Sequence, residues 1–220
     1  MKKKLAIFGG GGFGREIGHY FLGDVAVGRY PGIELAGVVD SNPECELVRC
    51  SPEFKYLGEL GELKNPSDYC YLVAVGTVKK RKKIAIELQS LGLELFSYIH
   101  SNAIIASDAR IGLGSIIGPG SIVNTGASIG ICCAINVFCS IGHDAVVGAY
   151  SVLSPYSAMN GNSEVGESCF LGTRATLFPG TKIGKSCIVD SHSFVKASLG
   201  DRKIISARCK YLVVDNRMGD

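Results

Sequence analysis

Of the four histidines in the chain, only His143 has a carboxylate directly beside it, in Ile141-Gly142-His143-Asp144. An imidazole next to an acid can remove a proton near neutral pH, because the acid orients the ring and stabilises its charged form. His19, His100 and His192 have no comparable surroundings and read as helix surface, domain junction and coil surface. A second chemistry is phosphate contact. Gly9, Gly11 and Gly14 form G-x-G-x-x-G, with Gly12 and Phe13 inside it, after the apolar run Leu5 to Phe8 and before a helical stretch from Arg15 to Leu22. Glycines admit a phosphate close to the backbone, and the helix N-terminus supplies free N–H groups. Asp40 ends a second apolar run, Glu34 to Val39. It stands where such a unit holds a ribose hydroxyl or another polar part of a nucleotide, or else it only opens the turn that follows. Gly76 closes a third run, Tyr71 to Val75, and the bases Lys79 to Lys83 then open a helix expected to turn Ile84, Leu88 and Leu91 inward. Such a run is a solvated face, from which one or two bases could reach a phosphate near Gly76.

The element that must position His143 is a repeat. Stepping by six from Ile99 through Ile105, Ile111 and Ile117 to Val195 meets an aliphatic residue every time. A small side chain follows four residues after each, and the series fails only at Leu199. Two inward positions per hexad suit a chain that turns a corner every six residues, a hexapeptide β-helix. Three faces close one coil of eighteen residues, so residues eighteen apart stack. His143 then stands between Thr125 and Gly161, and the missing side chain at Gly161 is expected to leave room for a substrate. The rival for the uncharged stretch 111–142 is a membrane helix of about 20 apolar residues. Pro119, Asn124 and Asn136, each at fixed phase, argue against it.

In front of the coil, Leu93 to Tyr98 reads as a fourth strand, which divides the chain into a Rossmann-like α/β (βαβ) domain over 1–98, a β-helix over 99–200 and a tail over 201–220. Residues 44–68 read as loop and short helix. A net charge of +3 on 220 residues gives no reason to expect a nucleic-acid or membrane surface. The nine cysteines show no CxxC pair or metal-ligand spacing. Cys133, Cys139, Cys169 and Cys187 fall on the small inward position, where a thiol packs like a larger Ala. That many free thiols suits a reducing cytoplasm. The start, Met1 to Lys4 and then four apolar residues, is too short for a signal peptide.

The glycine-rich βαβ unit, the hexads and N-x5-G-H-D from Asn136 to Asp144 together resemble the bacterial sugar O-acyltransferases of the sialic acid O-acetyltransferase type. That family includes N-acetyltransferases of nucleotide-linked amino-sugars, and the resemblance covers residues 4 to 199. It implies a left-handed parallel β-helix, a cytoplasmic homotrimer and acetyl-CoA in the groove between neighbouring coils, with no metal. It implies His143 as general base, Asp144 as its acid and Asn136 close to the acceptor. The Gly161 N–H falls where the thioester carbonyl is received, with Thr173 and Ser191 also at the cofactor. The nucleotide-sugar falls to Gly9, Gly11, Gly12, Phe13, Gly14, Asp40 and Gly76, and the setting would be surface-glycan biosynthesis. Three departures mark this chain: Phe13 where some members carry a His in the glycine turn, Gly142 where some carry an acid, and Ser206 to Lys210 in place of the usual Gly-x-Pro-Ala-Lys/Arg ending. Acetylation of a sialic-acid-like or other sugar hydroxyl is the alternative reaction, and a non-catalytic trimeric nucleotide-binding scaffold the alternative class. A β-helical carbonic anhydrase needs three zinc-binding His. His143 has no His neighbour at coil spacing.

Overall fold

The computed structural model describes residues 2–207. The strands β1 (Lys3–Phe8), β2 (Ile33–Val39), β3 (Tyr56–Gly58), β4 (Tyr69–Val73) and β5 (Glu94–Leu95) form one parallel sheet in the order β3-β2-β1-β4-β5. The central strands are apolar over Leu5 to Phe8, Leu35 to Val39 and Tyr69 to Val73, because helices cover both faces of the sheet there. Helix α1 (Gly12–Ala26) packs Ile17 and Phe21 against Leu5, Ile7 and Leu72. On the other face Ala85 and Leu88 of a basic helix, Val78–Ser90, meet Ala6, Tyr71 and Val73. The strand order reverses at β1 and β4, which puts the glycine turn at the switch point where such sheets bind ligands.

Several local expectations shift. Helix α1 starts at Gly12 rather than Arg15, so two glycines lie in its first turn. The segment 44–68 contains a helix α2 (Glu46–Cys50) and the edge strand β3, too short to show an alternating pattern. The basic helix, α3, buries Arg81, Ala85 and Leu88, whereas Leu91 lies one residue past its end and is 59% exposed. Only Glu94–Leu95 of the expected fourth strand joins the sheet; Tyr98–Ile99 is already the first strand of the coil.

From Tyr98 the chain winds a left-handed parallel β-helix of two-residue strands in three faces. The first face holds seven strands, from Tyr98–Ile99 to Ile204–Ile205. The second holds six, from Ile104–Ile105 to Phe194–Val195, and the third five, from Arg110–Ile111 to Lys182–Ile183. Ile122 and Val123 pair with Ser140 and Ile141, the eighteen-residue stacking expected from the hexads. Each corner turns through one left-handed residue at the fourth hexad position, from Gly114 through Cys132, Phe138 and Asp144 to His192. A non-glycine residue there is strained, and the ladders on either side hold it. At the second position the next coil lies so close that a Cβ on Gly142 would sit 2.5 Å from Gly161 N. Where Asn replaces that glycine its amide is used instead: Asn124 Nδ2 donates to Ile141 O at 2.9 Å and Asn160 Nδ2 to Leu177 O at 2.7 Å.

The small inward side chains do more than pack. Ser115 Oγ donates to Gly130 O and accepts from Cys133 N, and Cys169 Sγ accepts from Cys187 N. Burial pushes the Cys133 and Cys139 thiols up to about 12, so both stay protonated at neutral pH. The last coil is two residues short. Ile204 pairs with Ile188 at a spacing of sixteen, so part of the stretch expected as a tail adds a strand to the first face. The atypical ending from Arg208 lies outside the described residues.

The two parts are fastened by polar groups as well as by packing. Asp24 on α1 accepts from Tyr98 OH at 2.9 Å and from Ser101 N at 3.1 Å. Tyr30 OH donates to Ile99 O and accepts from Ile99 N. Arg81, completely buried, donates to Val75 O (2.9 Å), Val73 O (2.7 Å) and Cys132 O (3.2 Å), and thereby ties the end of β4 to a coil corner. No helix among the described residues is long and apolar enough to cross a membrane.

Candidate active site

His143 and Asp144 stand on the corner between the second and third faces, in a groove of about 650 Å³. Thr125, His143, Gly161 and Pro179 line it one above another, at the third position of successive hexads. Adjacent in sequence, His143 and Asp144 also make contact: His143 Nδ1 lies 3.0 Å from Asp144 Oδ2. With the Nδ1 proton on that hydrogen bond, Nε2 keeps its lone pair. The left-handed turn at Asp144, φ 56°, brings its carboxylate beside the ring. The space is provided by Gly126 one coil below, where a Cβ would sit 2.3 Å from Asp144 Oδ1.

The room at Gly161 has a different use from the one expected. A Cβ there would sit 2.3 Å from His143 Nε2 and 2.5 Å from Cε1, so the imidazole itself lies over the glycine and a substrate must approach from the groove. Gly161→Ala is therefore expected to push the ring aside and lower turnover at least about tenfold while the coil stays folded. Steady-state kinetics beside a circular dichroism spectrum check this. Gly161 N has no acceptor among the described residues and remains available to a ligand oxygen. Below the histidine, Thr125 Oγ1 donates to Asp108 Oδ2 at 2.7 Å, which holds the Asp108 carboxyl below its usual range.

The glycine turn forms a second cleft, of about 600 Å³, lined by Gly9, Gly11, Gly12, Phe13, Asp40 and Gly76. Gly14 lies beneath it: a Cβ there would meet Gly9 O at 1.9 Å, so this third glycine serves close helix–strand packing. Gly10 is equally constrained, by Cys45 Sγ at 2.2 Å from its hypothetical Cβ. Asp40 opens the turn and also borders the cleft. Its Oδ1 accepts from Asn42 N in the turn, and its Oδ2 accepts from Gly10 N at 2.7 Å. Lys80 and Lys83 line the same cleft from α3, as the position of the basic run after Gly76 allowed. Arg81 was not legible as a core residue, although its spacing to Ala85 and Leu88 is that of one helix face.

Three residues expected near the reaction lie elsewhere in a single chain. Asn136, Thr173 and Ser191 sit at the corner between the first and second faces, outside the His143 groove. The Asn136 side chain accepts from Val137 N at 2.8 Å. Glycine cleft and His143 groove share no residue: α3, on the edge of the cleft, docks through Arg81 on the corner between the third and first faces.

Residues 4–88 match the PglD N-terminal domain family. The whole chain is similar to the acetyltransferase domain of PglB from Neisseria gonorrhoeae, at 25% identity and TM-score 0.80 over 91% of this chain and 94% of that one. PerB from Caulobacter crescentus, solved with CoA and GDP-perosamine, matches at 28% identity and TM-score 0.77 over 91% and 92%. WeeI from Acinetobacter baumannii shares the fold at 21% identity and TM-score 0.77 over 94% and 99%. No curated protein matches by sequence. A PglD-type domain followed by a hexapeptide β-helix is the architecture of the sugar acyltransferases that the sequence resembles.

Proposed function

We propose that this chain is an acetyl-CoA-dependent N-acetyltransferase acting on the amino group of a nucleotide-linked amino-sugar, with His143 as general base. The observation that carries the reading is the His143–Asp144 contact of 3.0 Å at an open groove that His143 lines. The PerB structure with CoA and GDP-perosamine, and that of the PglB domain with acetyl coenzyme A, support the choice of donor and acceptor. Acetyl-CoA supplies the activated acyl group. His143 Nε2 takes the proton as the sugar nitrogen attacks the thioester carbonyl, and Asp144 stabilises the imidazolium that results. Gly161 N–H donates to the oxygen that becomes negative, a role suited to a donor with no other partner. His143 then returns its proton to the departing thiolate.

Gly9, Gly11, Gly12, Phe13, Asp40 and Gly76 form the acceptor's nucleotide site, with Gly14 shaping it and Lys80 and Lys83 beside the phosphates. Because this cleft and the His143 groove are separate in one chain, the reading includes a homotrimer in which a neighbouring subunit completes the groove. The second face, which borders the groove, exposes Ile104 (63%) and Ile122 (37%), an apolar surface a second copy would cover. Asn136, Thr173 and Ser191 are then contributed across that interface. The setting is cytoplasmic surface-glycan biosynthesis.

Light scattering at micromolar concentration is expected to give a trimer, and calorimetry to show binding of acetyl-CoA and of a UDP- or GDP-linked amino-sugar, with none of NAD. A monomer would count against the shared site. Tight NAD binding without response to nucleotide-sugars would reverse the reading of the cleft. A sugar hydroxyl acetylated faster than an amine would move the reaction to O-acetylation, and a trimer that binds nucleotide but not acetyl-CoA would be the scaffold.

A further inference from the structure

The columns that line the His143 groove continue beyond it. The groove uses Asn124, Gly142 and Asn160 from the second hexad position of this corner, and Ser140 from the outward side of the second face. The next members C-terminally are Phe178 and Lys196 in the first column, and Ala158, Thr176 and Phe194 in the second. Phe178 and Phe194 stack at 6.1 Å between centroids with 20° between planes, and are 37% and 48% exposed. Lys196 Nζ lies over both rings, 5.5 Å from Phe178 and 4.9 Å from Phe194, and pairs with no carboxylate among the described residues. Phe178 adjoins Pro179, a groove residue.

From this we infer that Phe178, Phe194 and Lys196 form a binding point for a phosphate of the coenzyme's nucleotide end. The inference rests on the proposed acetyl-CoA reading. Three features carry it. The first is reach: Ile141, Met159, Leu177 and Val195 are successive strand partners, so Lys196 stands three coils beyond His143, about 14 Å at the usual strand spacing. An extended pantetheine arm with its thioester at His143 spans that distance. The second is direction: Gly161 and Pro179 present little side chain along the way, so the groove stays open toward Lys196. The third is charge. An exposed cation–π contact is weak and keeps the ammonium poised over the rings, so a phosphate can recruit it. A neighbouring acid would have cancelled it.

The test compares acetyl-CoA with S-acetyl-pantetheine, which has the arm without phosphates, as donors for the full-length protein. Lys196→Gln is expected to raise the KM for acetyl-CoA about tenfold. Turnover at saturation, and all constants for S-acetyl-pantetheine, are expected to stay within twofold of the parent. Lys196→Arg should keep most of the acetyl-CoA affinity, and Phe194→Ala should lose part of it with the same donor selectivity. An unchanged KM for acetyl-CoA in Lys196→Gln, or an equal loss with both donors, would overturn the site while leaving the acetyl-transfer reading intact. Failure of the unsubstituted protein to bind acetyl-CoA would instead remove that reading, and the site with it.

Discussion

His143→Ala is expected to lower kcat by about 10²–10⁴ while the affinity for acetyl-CoA stays within a fewfold of the parent. The asymmetry follows from where the residue acts. In the proposed reaction its Nε2 is asked to take a proton from the attacking nitrogen, a demand that exists only as the bond forms, whereas the donor would be held by coil groups along the groove. Asp144→Ala should cost less, because Asp144 would act only through the ring, at 3.0 Å, and not on the attacking nitrogen itself. The double variant should be about as slow as His143→Ala alone, since the pair works as one unit. Steady-state rates of the four proteins decide it. Additive losses would mean that Asp144 touches the substrate independently.

The second large effect concerns a residue far from the reacting atoms. Arg81→Met is expected to destabilise the protein by about 3 kcal/mol or more, because the buried carbonyls of Val73 and Cys132 and the half-buried carbonyl of Val75 all lose their donor. Removal of a buried charge returns part of that cost, which is why the figure is at the low end for three orphaned groups. Burial pulls the Arg81 pKa down to about 10, yet the guanidinium remains charged at neutral pH, and no carboxylate pairs with it among the described residues. Where the variant still folds, the wall of the glycine cleft formed by Val75 and Gly76 should loosen. The KM for the nucleotide-sugar should then rise with kcat little changed. Denaturant unfolding at fixed protein concentration, with kinetics on the folded fraction, checks both parts. Unchanged stability would mean that water replaces the guanidinium at those carbonyls.

The hexads were legible because a solenoid repeats one steric problem: each corner needs one large and one small inward side chain, and from Ile99 to Ser193 no residue departs from that rule. The His143–Asp144 pair was legible as a pair of types, but its contact depended on a left-handed turn that residue type does not announce. Cys132, Phe138, Tyr150, Asn162 and Arg174 occupy the same backbone position as Asp144. The ring's seat over Gly161 needed the coil spacing in three dimensions. Arg81 was hidden inside five consecutive bases, where charge suggested solvent although helical spacing put it on the face of Ala85 and Leu88. The separation of Asn136 from His143 could have been read by counting: seven residues carry the chain past a corner, so two members of one motif lie on different edges of the coil.

The most direct measurement of the central claim is the mass of a nucleotide-linked amino-sugar after incubation with acetyl-CoA and the protein, with free thiol followed in the same tube. Expected is the gain of one acetyl group on the sugar nitrogen, one thiol released for each, dependence on both substrates, and near-complete loss of both signals with His143→Ala. An unmodified sugar under conditions where acetyl-CoA and the nucleotide-sugar are both shown to bind, or acetylation that persists at the parent rate in His143→Ala, would contradict it.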